Sequence, residues 1–175
     1  MLIILDRDGV INQESCQYIK TPEEWIALPR SLEAIAKLNQ AGHQAVVATN
    51  QSGIARGLFT YETLEKIHDK MKKELAKVGG HLDGIFYCPH HPDDLCECRK
   101  PKPGLLFQIA KQFNVDLQQN AVLIGDALRD IQAAEAANCP AILLKTGMGY
   151  QTIKNNPELH VPIFSDLFSA VSTLV

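Results

Sequence analysis

The sequence predicts an α/β fold, a three-layer sandwich built around a parallel sheet. Short apolar runs of strand length alternate along the chain with longer segments whose apolar residues recur every three or four positions. Small polar residues, acids and glycines stand directly after several of the apolar runs. Strands that alternate with helices pair in parallel through right-handed crossovers, and such sheets bind ligands at the carboxyl ends of their strands. The residues that follow each strand are therefore the candidates for function.

Five main strands are predicted, each a run of four or five residues rich in Val, Ile, Leu or aromatic side chains. The runs cover residues 1–5, 44–48, 84–87, 121–124 and 141–144. A last short strand near 161–164 and a helix from Asp166 onward complete the expected fold. Numbered by their position in the chain, the strands are expected in the order 3-2-1-4-5 of a Rossmann-like sheet.

Four amphipathic helices are predicted between these strands. The first three have apolar faces formed by Leu32, Ile35, Ala36 and Leu38; by Leu64, Ile67, Met71, Leu75 and Val78; and by Leu105, Leu106, Ile109, Ala110 and Phe113. The fourth is rich in alanine and covers about 128–137. Gly42 and Gly79 follow the first two helices, as glycine often does just beyond a helix end.

Two shorter segments have weaker signals. Thr21, Pro22 and Glu24 have the order of a capping box with proline at the first helical position, which predicts a short helical turn. The segment 148–162 is polar and poorly periodic, and we interpret it as a surface loop or weak helix.

Length and composition narrow the class of protein. The 175 residues suit one domain over 1–175, and 46% hydrophobic with 21% charged residues is typical of a soluble globular protein. The net charge of -3 argues against a nucleic-acid partner. No apolar run approaches the roughly 20 residues that span a bilayer, and residues 1–10 carry two aspartates and no basic leader. We therefore expect a cytoplasmic protein without membrane association, and nothing demands more than a monomer.

Acidic residues follow the first and fourth predicted strands. Asp6 and Asp8 are two positions apart, so in extended backbone both carboxylates can face one pocket. Asp126 follows the fourth strand, and Asp130 stands one helical turn further on. The sequence therefore predicts a group of carboxylates at one edge of the sheet.

Small polar and basic residues are predicted to reach the same edge. Thr49, Asn50, Gln51 and Ser52 follow the second strand, and the pair 99–100, an arginine and a lysine, precedes the third helix. Taken alone, the first group is an ordinary polar turn and the lysine an ordinary surface lysine. Their positions beside the acids indicate a shared site.

This combination of side chains is typical of metal-assisted phosphoryl transfer. Clustered carboxylates favour a magnesium-type cation, and a carboxylate is already ionised at neutral pH and can act as a nucleophile. It also repels phosphate, because two unit charges ~4 Å apart cost on the order of 4 kcal/mol at an effective dielectric near 20. A divalent cation and a lysine can reverse that sign, while a second acid protonates the leaving oxygen and later activates water. The pattern predicts an aspartyl-phosphate intermediate.

A second cluster indicates a different metal. Cys88, His90, Cys96 and Cys98 form CxH and CxC pairs that can close a tetrahedral Cys3His site, which leaves no open position and is therefore structural. Free or oxidised thiols are the alternative. Residues 99 and 100 follow the last ligand directly, so we expect a structural Zn²⁺ in the loop 88–98 to position the lysine. Two further cysteines, Cys16 and Cys139, show no partner pattern, and we interpret them as free thiols. Four histidines are interpreted as surface or structural residues: His43, His68, His81 and His160.

Residues 6–12 (DRDGVIN) resemble the first motif, DxDG, of the haloacid-dehalogenase-type phosphohydrolases. Thr49, Lys100 and Asp126 with Asp130 are similar to the second, third and fourth motifs of that family. The wider runs ATNQSGIARG and CPHH…CECRKPKPG resemble a narrower group, the D-glycero-D-manno-heptose 1,7-bisphosphate phosphatases and the related histidinol-phosphate phosphatases. The resemblance covers nearly the whole chain, with the motifs in order and on the predicted elements.

The resemblance implies a role for each acid. Asp6 is the nucleophile and Asp8 the general acid and base. The Asp6 carboxylate, the Asp8 backbone carbonyl and Asp126 hold Mg²⁺, while Thr49 and Lys100 stabilise the phosphoryl group. In the narrower group the histidine ligand of zinc corresponds to residue 90.

It also implies how substrate binds. Asn50, Gln51 and Ser52 line the site, and Arg99 contacts a second phosphate or the hydroxyls. A loop carrying Glu14, Ser15 and Tyr18 contacts the sugar. One departure is Ala127, since heptose bisphosphate phosphatases often have a basic residue directly after the fourth-motif aspartate.

The expected activity is hydrolysis of the 7-phosphate of a heptose 1,7-bisphosphate, a step toward the heptose of bacterial surface polysaccharide. Histidinol phosphate or another small phosphomonoester is the alternative substrate, and a zinc-stabilised binding module without turnover is the alternative class. Only about 40 residues separate Asp8 from Thr49. No large cap domain fits between them, so short loops must select the substrate.

Overall fold

The computed structural model describes residues 1–175 and contains one six-stranded sheet in the order β3-β2-β1-β4-β5-β6. The strands are β1 (Leu2–Leu5), β2 (Gln44–Asn50), β3 (Gly84–Cys88), β4 (Ala121–Gly125), β5 (Ala141–Leu144) and β6 (Ile163–Phe164). Every pair of neighbouring strands is parallel. The predicted order 3-2-1-4-5 is confirmed, and β6 extends the sheet beyond β5.

The central strand β1 explains why the predicted strands are continuous apolar runs. Leu2 pairs with Gln44 of β2 on one side and with Ala121 of β4 on the other. All four residues of β1 are buried, because helices cover both faces of the sheet. Ile3 and Leu5 belong to the hydrophobic cluster on one face, whereas the even-numbered residues of β1 belong to the cluster on the other.

The chain forms seven α-helices. They are α1 (Ser31–Gln40), α2 (Tyr61–Lys77), α3 (Gly104–Phe113), α4 (Leu117–Asn120), α5 (Leu128–Ala136), α6 (Gly149–Asn155) and α7 (Leu167–Val171). Apolar residues of α1, α2 and α7 pack in the cluster on one face of the sheet, and those of α3, α4 and α5 in the cluster on the other. The predicted three-layer sandwich is therefore confirmed.

The structure extends two sequence predictions. Strand β2 continues two residues past the predicted end, so Thr49 and Asn50 occupy its last two positions. Helix α6 forms within the segment interpreted as loop or weak helix, because Thr152 is buried and its hydroxyl donates to the backbone oxygen of Asp126 at 3.0 Å. The four-residue α4, capped by Asp116, is too short to show a periodic pattern.

Between Asp8 and Thr49 the chain contains a loop, a 3₁₀ turn over Pro22–Glu24, and α1. Thr21 caps the turn as its sequence predicts. No cap domain lies in this interval, so the carboxyl edge of β1 and β2 stays open. None of the helices is both long enough and apolar enough to cross a bilayer.

Candidate active site

A polar cavity of about 240 Å³ opens at the carboxyl ends of β1 and β2. Its walls are formed by Asp6, Asp8, Glu14, Ser15, Cys16, Tyr18, Ile19, Thr49, Asn50, Gln51, Ser52, Arg99 and Arg129. The structure thus brings together nearly all the residues that the sequence predicted for catalysis and substrate binding. Lys100 and Asp126 do not line this cavity and instead lie buried next to its floor.

Asp6 forms the floor of the cavity. It directly follows β1, and its backbone N–H donates to the carbonyl of Ile124, which continues the pairing with β4. The carboxylate is almost fully buried and lies 3.1 Å from Nζ of Lys100. Burial raises the pKa of Asp6 to about 6 despite the opposing charge of Lys100, with the carboxylate of Asp130 adding to the rise. Asp6 is therefore a carboxylate confined beside an ammonium, at the end of the central strand.

Lys100 is fully enclosed, and its ammonium has three oxygen neighbours. Nζ donates to the backbone oxygen of Ala48 at 2.8 Å and to Oδ1 of Asp130 at 2.6 Å, and it pairs with Asp6. Burial by itself lowers the pKa of Lys100, but the charges of Asp130 and Asp6 outweigh it and raise the pKa above its ordinary value. Two hydrogen bonds and the ion pair with Asp6 thus fix the positive charge in place beneath the cavity.

The carboxylate of Asp8 is held by four side-chain donor groups. The guanidinium of Arg7 contributes Nε at 3.1 Å and Nη2 at 3.0 Å, and the amides of Asn12 and Gln51 donate at 2.8 and 3.0 Å. Burial would raise the pKa of Asp8, but the charge of Arg7 and these hydrogen bonds lower it below its ordinary value. Asp8 is therefore ionised at neutral pH and fixed in orientation.

Asp126 completes an acidic group with the geometry of a cation site. Ligand oxygens of Asp6, Asp126 and Asp130 lie within 4.8 Å of one another. Oδ2 of Asp126 accepts from the backbone N–H of Met148 at 2.7 Å, while Oδ1 is buried with no hydrogen-bond partner. Burial and the neighbouring charges of Asp6 and Asp130 raise the pKa of Asp126 to about 8. An unpartnered buried carboxylate oxygen beside a second acid fits a divalent cation with hard oxygen ligands.

Two glycines frame Asp126. Gly9 and Gly147 have φ angles of +82° and +54°, and a Cβ atom on either would collide with the Asp126 carboxylate. The chain can pass the acid on both sides only where no side chain is present. The glycine of the DxDG motif is therefore needed for close approach to the acid as well as for the turn.

The polar residues at and just after the end of β2 each have different hydrogen-bond partners. Thr49 accepts a hydrogen bond from Nε2 of Gln51 at 3.1 Å, which orients its hydroxyl. The amide of Asn50 makes two bonds to the backbone of Lys100: Oδ1 accepts from its N–H and Nδ2 donates to its carbonyl, both at 3.0 Å. Sequence reasoning placed Asn50 in the substrate site, and the structure shows that it also fixes the lysine segment. Ser52 lines the cavity and accepts from Nε of Arg56 at 3.3 Å.

The upper walls carry two guanidinium groups. Arg99 is present as predicted, and its Nη1 is buried with no hydrogen-bond partner. Arg129 was not predicted; it stands in the first turn of α5 and also lines the cavity. Since Ala127 is buried and uncharged, Arg129 is the residue of this segment that brings a positive charge to the cavity. Its position between Asp126 and Asp130 was the available sequence signal.

The loop after β1 forms the remaining wall. Glu14, Ser15 and Tyr18 all line the cavity, as predicted, together with Cys16, which was not expected there. Burial, with the charges of Asp8 and Asp6, raises the pKa of Glu14 to about 7. Tyr18 has a positive φ of 66°, and the guanidinium of Arg56 lies 5.6 Å from its ring centre.

The cysteine cluster lies beside the site, at the end of β3. Nδ1 of His90 lies 3.4 Å from Sγ of Cys88 and 3.2 Å from Sγ of Cys98. Sγ of Cys96 lies 3.6 Å from Sγ of Cys88 and 3.7 Å from Sγ of Cys98. With Zn–S bonds of about 2.3 Å, sulfur atoms at the corners of a tetrahedron are about 3.8 Å apart. The donor set and its spacing could therefore hold Zn²⁺.

This fold, with aspartates after β1 and β4 and a lysine beneath them, is the arrangement of a haloacid-dehalogenase-like hydrolase. A family model described as HAD-hydrolase-like matches residues 97–167. A heptose bisphosphate phosphatase from Bordetella bronchiseptica, D-glycero-β-D-manno-heptose-1,7-bisphosphate 7-phosphatase, is 57% identical over 87% of this chain and 84% of its own length. The enzyme of the same name from Pseudomonas aeruginosa is 49% identical over 99% of this chain and 97% of its own.

Solved structures agree with these relatives. The crystal structure of the B. bronchiseptica phosphatase complexed with magnesium and phosphate has a TM-score of 0.96 and 52% identity, and the match covers 99% of this chain and 97% of that one. The heptose bisphosphate phosphatase of Burkholderia thailandensis has a TM-score of 0.78 at 40% identity, over 99% of this chain and 97% of its own. The chain belongs to the D-glycero-β-D-manno-heptose-1,7-bisphosphate 7-phosphatase family of HAD-like hydrolases.

Proposed function

We propose that this protein is a magnesium-dependent phosphatase that removes the 7-phosphate of D-glycero-β-D-manno-heptose 1,7-bisphosphate through an aspartyl-phosphate. The observation that carries the proposal is the floor of the cavity. There the Asp6 carboxylate meets the Lys100 ammonium on one side and the acidic group with its unpartnered Asp126 oxygen on the other. The names of the family relatives support the choice of heptose and of the β anomer.

In the first step an oxygen of Asp6 attacks phosphorus and the bond to the sugar oxygen breaks. Lys100 and the hydroxyl of Thr49 stabilise the negative charge on the transferring phosphoryl group. Asp8 donates a proton to the leaving sugar oxygen. An incoming phosphate raises the pKa of Asp8 by like-charge repulsion, which opposes the lowering effect of Arg7 and makes a protonated Asp8 accessible.

In the second step water attacks the phosphorus of the aspartyl-phosphate, and Asp8 accepts its proton. The bond between phosphorus and the Asp6 oxygen breaks, which regenerates the carboxylate and releases inorganic phosphate. The hydrogen bonds from Arg7, Asn12 and Gln51 favour the ionised form of Asp8, and this is the form that the step requires.

The Asp6 carboxylate, the Asp8 backbone carbonyl and Asp126 would hold one Mg²⁺ ion. When bound, the ion supplies positive charge that offsets repulsion between these carboxylates and the substrate phosphate. The raised pKa of Asp126 and its buried unpartnered oxygen support this assignment, because both indicate negative charge without a counter-charge.

Arg99 and Arg129 would bind the second phosphate, which stays on the sugar. The buried, unpartnered Nη1 of Arg99 supports this role, because a guanidinium nitrogen in such a place requires an anionic or carbonyl acceptor. Glu14, Ser15 and Tyr18 would contact the sugar hydroxyls from the loop after β1. Gln51 and Ser52 would form the opposite wall, next to Asn50.

Cys88, His90, Cys96 and Cys98 would bind a structural Zn²⁺ that orders the loop 88–98. Four protein donors leave no coordination site for substrate. The loop leads directly into Arg99 and Lys100, so an ordered loop positions both residues. Asn50 holds the same segment from β2 through its two bonds to the backbone of Lys100.

In this proposal residues 1–175 form a single phosphatase domain that acts as a monomer in the cytoplasm on a small sugar phosphate. The product would serve the synthesis of bacterial surface polysaccharide. Neither nucleic acid nor membrane has a part in it, in keeping with the net charge of -3.

The direct test is a substrate panel with magnesium: the heptose 1,7-bisphosphate, histidinol phosphate and p-nitrophenyl phosphate. We expect the highest kcat/KM for the bisphosphate, release of one phosphate per molecule, and a ³¹P spectrum in which the 1-phosphate remains. Asp6→Asn should lower the rate at least about 10³-fold, as loss of a nucleophile does. Asp69→Asn, at an exposed acid of α2, is the matched control. A higher kcat/KM for histidinol phosphate would contradict the assigned substrate, and full activity of Asp6→Asn would contradict the mechanism.

A further inference from the structure

Arg7 stands between the two acids of the first motif but does not line the cavity. Its side chain is fully buried, and it turns back so that Nε donates to Oδ1 of Asp8 and Nη2 donates to both carboxylate oxygens. A guanidinium that binds a carboxylate through two nitrogens defines the plane of the carboxylate as well as its position. The other donors to Asp8 are neutral amides, so Arg7 is its one charged hydrogen-bond partner.

The third guanidinium nitrogen contacts a residue of a distant helix. Nη1 of Arg7 lies 3.1 Å from Nε2 of His68, which belongs to α2. Because a guanidinium only donates hydrogen bonds, Nε2 must be the acceptor. His68 is therefore neutral and carries its hydrogen on Nδ1. Burial and the adjacent charge of Arg7 lower the pKa of His68 to about 3, which agrees with that state.

His68 is itself held in place on both sides. Helix α2 contributes Ile67, Met71 and Leu75 to the hydrophobic cluster on one face of the sheet, and Thr60 caps its first turn. His68 is 5% exposed, and the centre of its ring lies 6.0 Å from the ring centre of Tyr87 on β3. The ring thus presents Nε2 to Arg7 from a rigid part of the fold.

We propose that His68 is a positioning residue for the hydrolysis step, which fixes the plane of the Arg7 guanidinium and thereby the orientation of the Asp8 carboxylate. The inference rests on the proposed function, since it requires Asp8 to take the proton of the attacking water. Without an acceptor at His68, the buried Nη1 of Arg7 has no partner, and the guanidinium gains by turning toward another acceptor. Such a rotation would remove at least one of its three hydrogen bonds to Asp8.

The substrate p-nitrophenyl phosphate separates the two chemical steps. In the first, an Asp6 oxygen bonds to phosphorus while the bond to p-nitrophenolate breaks, and the phenolate leaves as a stable anion that needs no proton. In the second, the oxygen of water bonds to phosphorus, the bond from phosphorus to Asp6 breaks, and Asp8 accepts the proton. Misorienting Asp8 should therefore slow only the second step with this substrate, so that phosphorylated enzyme accumulates.

The experiment compares His68→Leu, His68→Gln and the wild type by rapid mixing with p-nitrophenyl phosphate in the presence of magnesium. For His68→Leu we expect kcat to fall about tenfold, a fraction of what acid–base catalysis supplies, and KM to fall by a similar factor, because slowing only the second step leaves kcat/KM unchanged. A burst of close to one p-nitrophenolate per enzyme should precede the slow steady state. In His68→Gln the amide oxygen can accept from Arg7, so kcat should return to within about threefold of the wild type.

Ile67→Val is the matched control, because it removes one buried methyl group next to His68 on the same helix and leaves the imidazole acceptor of Arg7 unchanged. It should keep the wild-type kcat despite a small loss of stability. If His68→Leu does not fold, as judged by circular dichroism, His68→Met replaces it, since methionine adapts to irregular core space.

Three results would overturn the inference: wild-type kcat in His68→Leu, a burst that shrinks together with kcat, or no recovery in His68→Gln. The second would show a loss of folded active sites in place of a slowed step. Failure of the proposed function is recognised separately, because the wild type would then release no more p-nitrophenolate than Asp6→Asn. That result would also contradict the proposed role of His68.

Discussion

Replacing Lys100 by methionine tests the ion pair beneath the cavity. The ammonium is fully buried and lies 2.6 Å from Asp130 and 3.1 Å from Asp6. Removing one partner of a buried pair leaves an uncompensated charge and costs about 3–5 kcal/mol. In a protein of this size each kcal/mol lowers Tm by about 2–4 °C, so Lys100→Met should melt roughly 6–20 °C below the wild type.

The double variant Lys100→Met with Asp130→Asn separates stability from catalysis. Neutralising Asp130 removes one of the two buried carboxylates that the lysine balanced, so the double variant should regain about half of the lost free energy of unfolding. Its phosphatase activity should stay as low as that of Lys100→Met, because neither change restores positive charge beside Asp6.

Thermal melts in a calcium-free magnesium buffer measure Tm. Phosphate release from the heptose bisphosphate measures the phosphatase activity. Asp69→Asn again controls for a change of charge at an exposed acid. A Lys100→Met variant as stable as the wild type, or a double variant with restored turnover, would refute the reasoning that the lysine serves as both counter-charge and phosphoryl-binding group.

Four further predictions follow from the same geometry. Chelation of magnesium should abolish phosphate release, and Mg²⁺ at a hundred times its Kd should raise Tm by roughly 5–11 °C, since binding to the native state alone contributes about 2.7 kcal/mol. Cys96→Ser should lower bound zinc, measured by atomic absorption, and turnover together; full activity in zinc-free protein would exclude a positioning role for the loop. The pKa of His68 is about 3 in the folded chain against 6.5 ordinarily, so its contribution to the free energy of unfolding is fully present above pH 6.5 and is lost as the pH falls below that value. At pH 5 the free energy of unfolding of the wild type, measured with denaturant, should therefore have fallen by about 2 kcal/mol more than that of His68→Gln. Arg129→Ala should raise KM for the bisphosphate about tenfold and leave KM for p-nitrophenyl phosphate unchanged, because the second substrate has no second phosphate.

Strands and motifs were predictable because their signals are local. A buried parallel strand such as β1 is a continuous apolar run, and the residues after it must reach the ligand edge of the sheet, so Asp6 and Asp8 could be placed from the sequence. Helix α6 was harder because its burial depends on contacts with Asp126 rather than on an apolar face. Its sequence alone has no period to detect.

The sequence indicated which residues come together in the site but not which hydrogen bonds they form with one another. The two bonds from Asn50 to the Lys100 backbone join positions fifty residues apart and leave no mark in either motif. The same holds for His68, a histidine without a recognisable pattern, whose partner Arg7 is sixty-one positions away. Arg129 was not predicted because the family resemblance points to a basic residue at position 127, whereas the helical turn brings the third residue after Asp126 to the cavity.

The bare backbone on both sides of Asp126 has a consequence for protein engineering. Gly9 comes from the turn after β1 and Gly147 from the segment after β5, and together they leave a slot no wider than one short acid. Lengthening that acid by a methylene group, as in Asp126→Glu, would drive it against main chain, which cannot yield as a side chain does. Redesign of ion preference in this scaffold therefore has to begin with the two loops and their path, before any ligand is exchanged.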